Sequence, residues 1–302
     1  MRNSIFTIAW PVCLIVVACS PKQATQSPEP IETLSPTTAP RPTPPGQMVD
    51  IGSYQLYLYC TGTGSPTVIL EAGLEGDDIS WKLVQPKVTQ FTRVCSYDRA
   101  GLAHSDYGPT PRDAEMSATD LHTLLTKASI APPYVMVGHS FGGLLIRRFA
   151  FDYPEEVDGL VFVDSLQEDW WEEALSLLPP ASSNDSSRLA SFRNYLTDGW
   201  RDPSSNFEAM DIPAVVKQVR ETNDFGDLPI MVLTAGKFTV LNPGLPPDLE
   251  GALAELFHDL QGRLAALSTV GKQVVVEDSG HNMPRENPQA VIDAIRNMVL
   301  KQ

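Results

Sequence analysis

The sequence predicts an α/β fold with a mostly parallel central sheet covered by helices on both faces. Short apolar runs closed by turn residues recur at 67–70, 93–97, 134–137, 160–163, 230–233 and 273–276, and helical patterns separate several of them. Uninterrupted apolar runs of this length suit strands buried on both faces, and alternation with helices implies parallel crossover connections. The hydrophobic fraction, 42% of 302 residues, suffices for one sizeable core once a polar N-terminal stretch is set aside.

Taken in order, residues 1–18 carry a basic residue at Arg2, an apolar run interrupted by Pro11, and small residues ahead of Cys19. The run is shorter than the roughly 20 residues a bilayer-spanning helix needs and has no basic flank after it, so it reads as an export signal. Its end, Val16-Val17-Ala18-Cys19, resembles the lipobox of bacterial lipoproteins. That resemblance implies an acylated Cys19 and a domain anchored to a bacterial membrane, outside the cytoplasm. Residues 19–47 are rich in Pro, Thr and Ser and have no apolar periodicity, which predicts an extended tether.

The folded domain is expected over 48–302. Residues 48–60 read as two strands around the turn Gly52-Ser53, with Leu56 and Leu58 alternating against polar neighbours. Ser117 followed by Asp120 resembles a capping box, with Leu121, Leu124, Leu125 and Ala128 at helical spacing beyond it. Near the end, Asn287-Pro288 predicts a cap followed by proline in the first turn, with Val291, Ile295 and Met298 on one face. Residues 166–227, with Trp170, Trp171, a polar loop at 179–187, Trp200 and Asp211-Ile212-Pro213, break the alternation. They read as a cap inserted between two sheet strands, the alternative being an ordinary long crossover.

Charge narrows the partners. Lys and Arg number 22 against 37 Asp and Glu, and the net charge of -15 would repel nucleic-acid phosphates, so no nucleic acid is expected. A small-molecule substrate is expected instead.

Residues 134–143, YVMVGHSFGG, join an apolar strand to Gly138-His139-Ser140-Phe141-Gly142, and the helical pattern LLIRRFA follows. This is G-x-S-x-G in strand–turn–helix context, a nucleophile elbow with Ser140 at its tip. The sharp turn needs neighbours nearly free of side chain, hence Gly138 and Gly142. A serine hydroxyl is a weak nucleophile until a base takes its proton. The base is expected late in the chain, and 273–283, QVVVEDSGHNM, supply a strand, a short turn and His281. His104, His122, His139 and His258 sit in a polar loop, in helical runs or at the variable position of the elbow, and fit a structural role better. The oxyanion hole needs two backbone N–H groups. Phe141, next to the nucleophile, supplies one, and Leu74, in the turn Glu71-Ala72-Gly73-Leu74, is the candidate for the other.

These motifs identify a resemblance. The segments CTGTGSPTVILEAG from Cys60, then Trp81, Gln85-Pro86, CSYDRAG from Cys95, GHSFGG and the closing SGH are similar to a bacterial α/β-hydrolase family. The similarity runs from about Met48 to the C-terminus and is weakest across the cap. It implies an α/β-hydrolase fold, a hydrolytic activity and a triad in the order Ser, acid, His. Two positions depart from the pattern. Ala103, followed by His104, stands where a loop glycine is usual, and the stretch after the seventh strand, 234–238, lacks the usual carboxylate. The acid is therefore expected at Asp164, at the end of the apolar run 160–163, with Glu168, Asp169 and Asp248 as rivals and a plain helix-capping role as the alternative. In this fold's usual strand order Cys60 and Cys95 lie on neighbouring strands, which, with export, implies a disulfide; two buried free thiols are the alternative.

No zinc-knuckle spacing, H-E-x-x-H or glycine-rich phosphate loop is present in the sequence, so no metal and no cofactor are expected. The expected function is a serine hydrolase acting on a carboxylic ester through an acyl-enzyme on Ser140. Amidase or aminopeptidase, thioesterase and carbon–carbon bond hydrolase chemistry are alternatives on the same elbow, and a non-catalytic surface binding module is an alternative of another class.

Overall fold

A computed structural model describes residues 45–237 and 244–301. The expected signal segment, Cys19, the tether up to residue 44, and Phe238 lie outside the described residues.

Eight strands form one sheet: β1 (Gln47–Asp50), β2 (Gln55–Thr61), β3 (Thr67–Glu71), β4 (Val94–Tyr97), β5 (Tyr134–His139), β6 (Val157–Val163), β7 (Ile230–Ala235) and β8 (Lys272–Val276). Their order across the sheet is β1-β2-β4-β3-β5-β6-β7-β8. The first two strands pair antiparallel, and β3 through β8 run parallel to β4. Parallel neighbours need crossovers, supplied by α1 (Gln85–Val88), α2 (Ala114–Lys127), α3 (Gly142–Asp152), the insertion helices α4 (Trp170–Ser176), α5 (Ser187–Thr197) and α6 (Ile212–Val219), and α7 (Pro247–Ala265). After β8 come the short α8 (Met283–Glu286) and the terminal α9 (Pro288–Leu300).

Strand side chains alternate between two cores. Val135 and Val137 of β5 join Trp81, Val84, Val291 and Ile295 on one face, while Met136 joins Leu121, Leu124, Ile146 and Phe149 on the other. Burial on both faces is why these strands read as unbroken apolar runs. The insertion has its own cluster: Trp170, Trp171, Phe192, Trp200 and Val215 pack on Phe141, Leu144 and Leu145, the start of α3, and on Leu253 and Phe257 of α7. Trp171 and Trp200 stack with ring centroids 5.1 Å apart. The insertion is thus held against the helix that follows Ser140.

The helix ends are set by local chemistry. The capping box expected at Ser117 is displaced one turn: α2 begins at Ala114, and Asp113 is its cap, accepting the Met116 N–H at 2.8 Å. Ser117 lies inside the helix and donates its hydroxyl to the Asp113 carbonyl, and Asp120 is engaged by Tyr54 and Arg112. An Asp in extended conformation ahead of the first turn outcompetes a later Ser for the free N–H groups. At α9 the cap is Asn287, which accepts the Ala290 N–H, with Pro288 in the first turn. Ala103 adopts φ 39°, so the alanine keeps the left-handed backbone a glycine would take.

Cys60 and Cys95 face each other in the β2–β4 register and form a disulfide that closes a loop of 35 residues. In the chain-entropy account a loop of that length stabilises the fold by roughly 3 to 4 kcal/mol. The Cys60→Ser/Cys95→Ser protein should therefore be less stable by that margin in denaturant unfolding, with a lower midpoint and a slope at least as steep, because the uncrosslinked chain exposes more surface when unfolded. An unchanged midpoint would contradict this.

Candidate active site

The turn between β5 and α3 sets Ser140 at φ 53°, outside the conformations an L-residue prefers. It is possible only because its neighbours lack a Cβ. A Cβ on Gly138 would lie 2.7 Å from the Gly142 carbonyl oxygen, and one on Gly142 would lie 2.6 Å from the Ala72 carbonyl oxygen. Ser140 is further tied to β6 by its N–H, which donates to the Val163 carbonyl at 3.2 Å.

Three residues far apart in sequence meet there. The imidazole of His281, in the loop after β8, has Nε2 3.0 Å from Ser140 Oγ and Nδ1 2.7 Å from Asp164 Oδ2. A carboxylate only accepts, so Nδ1 carries the proton and Nε2 presents its lone pair to the serine hydroxyl. Asp164 leaves the end of β6 at φ 44° and is buried. Its Oδ1 accepts the Ala235 N–H at 2.8 Å, so the strand end that lacks a carboxylate supplies a donor to the one provided by β6. The rivals for the acid position have other partners. Glu168 pairs with the buried Arg147, Asp169 with Arg220 and Arg263, and Asp248 sits in the first turn of α7.

A cavity of about 540 Å³ opens over Ser140, lined by Gly73, Leu74, Ile79, Leu83, His139, Phe141, Leu166, Tyr195 and His281 among others. Leu74 and Phe141 therefore border the same space as Ser140. A Cβ on Gly73 would stand 3.3 Å from Ser140 Cβ, a measure of how closely that turn approaches. Leu166 and Tyr195 bring the insertion to the cavity wall, and nothing in the sequence pattern distinguishes them beforehand.

His139 is the site residue that sequence reasoning leaves aside. Its Nε2–H donates to the His281 carbonyl at 2.8 Å, and the two rings lie 5.0 Å apart. Burial, reinforced by the neighbouring His281, pushes its pKa down from 6.5 to about 4, so it is the neutral donor that holds the His281 backbone. Among the described residues, Asp78, Asp98 and His104 are close enough to share a cation, their ligand atoms lying within 4.8 Å of one another. Asp98 already accepts from the Asp78 N–H, the His104 N–H and His104 Nδ1, which makes the group a clasp for the loops it joins.

Comparison with known proteins agrees with this architecture. The model of the Alpha/beta hydrolase family matches residues 72–294. A protein of Hormonema carpetanum named "Probable transporter efuK" is 26% identical over 297 residues, covering 83% of this chain, which spans only 42% of that relative. An AB hydrolase superfamily protein of Gibberella zeae is 24% identical over 283 residues, covering 78% of this chain and 86% of its own length. Among solved structures, a thermophilic esterase from Thermogutta terrifontis superposes with TM-score 0.57 at 21% identity, covering 85% of this chain and 98% of that one.

The neutral His139 makes a pH prediction. Its folded pKa lies below the ordinary value, so between about pH 6.5 and pH 4 the unfolded chain binds the proton more readily, and stability falls with pH. The loss from this group is at most about 3 kcal/mol, less to the extent that water reaches the ring. In denaturant unfolding at pH 7 and pH 4.5, His139→Asn should lose less stability than the parent protein. Parallel losses would contradict a neutral imidazole at this position.

Proposed function

Because the chain belongs to the alpha/beta hydrolase family, we propose that it is a serine hydrolase that cleaves a carboxylic ester through an acyl-enzyme on Ser140. The observation that carries this reading is the unbroken hydrogen-bonded chain from Ser140 Oγ through His281 to Asp164. In the proposed mechanism His281 Nε2 takes the serine proton as Oγ attacks the carbonyl carbon, and Asp164 orients the ring and stabilises the imidazolium that forms. The N–H groups of Leu74 and Phe141 receive the developing oxyanion, aided by the start of α3. His281 then gives its proton to the leaving oxygen, and water attacks the acyl-enzyme by the same route to regenerate Ser140. An ester demands least of the leaving group, and the apolar side chains of Leu74, Ile79, Leu83 and Leu166 along the cavity favour an apolar acyl or alkoxy part.

The lipobox-like Val16 to Cys19 and the Pro-rich stretch behind it support a further part of the proposal, that the protein is exported and acylated on Cys19. A disulfide inside the domain is in keeping with an oxidising compartment.

A fluorophosphonate should label Ser140 covalently, with labelling absent in Ser140→Ala and strongly reduced in His281→Ala. Beside it, p-nitrophenyl esters of increasing chain length, aminoacyl anilides and thioesters should be assayed together. Ester turnover faster than anilide and thioester turnover, and lost in Ser140→Ala, is the expected result. Labelling of another serine, or preference for the anilides, would overturn the assignment.

A further inference from the structure

The turn that carries Leu74 is gripped from behind by a buried guanidinium. Arg99, 3% exposed, spends its donors on five acceptors: Glu71 Oε1 at 2.5 Å, the Ala72 carbonyl at 2.8 Å, the Gly73 carbonyl at 2.6 Å, and both oxygens of Glu208 at 2.6 Å each. Glu208 belongs to the insertion between β6 and β7 and is itself buried. Its Oε1 also accepts the Glu75 N–H at 2.6 Å, and Glu75 returns a carboxylate oxygen to the Phe207 N–H at 2.8 Å. The same stretch of the insertion is fixed on its other side, where the Arg112 N–H donates to the Ala209 carbonyl and the Asp211 N–H to the Arg112 carbonyl.

The geometry of one peptide plane gives this grip a consequence. The Gly73 carbonyl and the Leu74 N–H belong to the same planar trans amide, so they point in opposite directions. Holding the carbonyl on Arg99, with the Gly76 N–H as its other donor at 3.0 Å, turns the Leu74 N–H away from the guanidinium, and Leu74 lines the cavity over Ser140. A charge-assisted hydrogen bond on the carbonyl also polarises the amide and strengthens its N–H as a donor. The arginine keeps its own orientation only while Glu208 occupies its Nε side, because a planar fork with five donors is fixed by acceptors on both edges.

We infer that Arg99, locked by Glu208 of the insertion, is the positioning residue for the Leu74 N–H, so that the insertion helps to assemble the oxyanion hole as well as walling the cavity. The inference rests on the serine-hydrolase reading. The buried cluster explains why these charges are tolerated: each carboxylate has several donors, and Tyr97 donates its hydroxyl to the second oxygen of Glu71. The insertion cannot lift from the turn without stripping Arg99 of two acceptors and Glu75 of one.

The test uses Glu208→Gln, which keeps the shape but removes the charge and one acceptor, and Arg99→Lys, which cannot reach both carbonyls. Two readouts are needed: amide hydrogen exchange over residues 72–76, and kcat and KM for the best ester, corrected for the number of titratable active sites. Exchange over 72–76 should quicken at least about tenfold while exchange over 134–138 stays as in the parent, and kcat should fall about 10- to 100-fold with KM changed less than about threefold. Unchanged exchange over 72–76 would overturn the inference, as would faster exchange with parental kcat, or a loss that merely follows the count of active sites. Failure of the underlying reading registers separately, as ester turnover that survives Ser140→Ala.

Discussion

The contact between Asp164 and His281 depends on the register of four adjacent parallel strands. β5 leads directly into Ser140 and β6 into Asp164, β7 ends at Ala235, and the loop after β8 delivers His281. Parallel pairing keeps all four carboxyl ends at one edge of the sheet, and a slip of one residue in any pair would turn a functional side chain into the opposite core. The two chemically decisive strand ends share a conformation. Ser140 and Asp164 both leave the sheet with positive φ, which turns each side chain up and out of the pleat. Such backbones cost of order 1 kcal/mol or more for residues with a Cβ, so the surrounding packing must hold them. Here that packing is the apolar contact of α3 and α9 with opposite faces of the sheet.

Around this edge the polar groups form a second layer that fixes backbone. His139 holds the His281 carbonyl, the Ala235 N–H holds Asp164, and Arg99 holds the turn bearing Leu74. Each donates to a group that must not move while a proton passes between Ser140 and His281 in the proposed reaction. Arg99 is buried, and a buried charge is stable only when paired and hydrogen-bonded, so it requires Glu71 and Glu208 together. This links the sheet edge to the insertion, whose aromatic cluster rests on the first turns of α3.

Much of this is legible in the sequence, for physical reasons that differ by residue. The sheet is legible because a strand buried on both faces leaves an unbroken apolar run. The elbow is legible because its steric crowding admits only glycine at 138 and 142. Asp164 emerges from the lack of a carboxylate after β7 together with an apolar stem ahead of it. The start of α2 is misread because Ser117-x-x-Asp120 carries a local capping signature, whereas the competition between caps is decided by Asp113 one turn earlier. His139 and Arg99 lie within the motifs GHSFGG and CSYDRAG, but nothing in the sequence signals their partners His281 and Glu208. Glu208 lies 109 residues from its partner, and only the folded insertion brings the two together. Ala103 shows the converse, since an alanine where a loop glycine is usual keeps the left-handed backbone in place.

In the proposed triad the carboxylate that follows β6, Asp164, stands in place of one after β7. The most direct test is Asp164→Asn, with thermal melting and ester turnover measured on the same preparation. The asparagine is isosteric and can still accept the Ala235 N–H, but it presents a neutral amide to His281 Nδ1 and so favours the wrong tautomer. The Asp164→Asn protein should fold, melt near the parental temperature and turn over esters slower by up to roughly 10⁴-fold, the loss known for the equivalent change in a serine protease. A folded Asp164→Asn protein with near-parental turnover would contradict it.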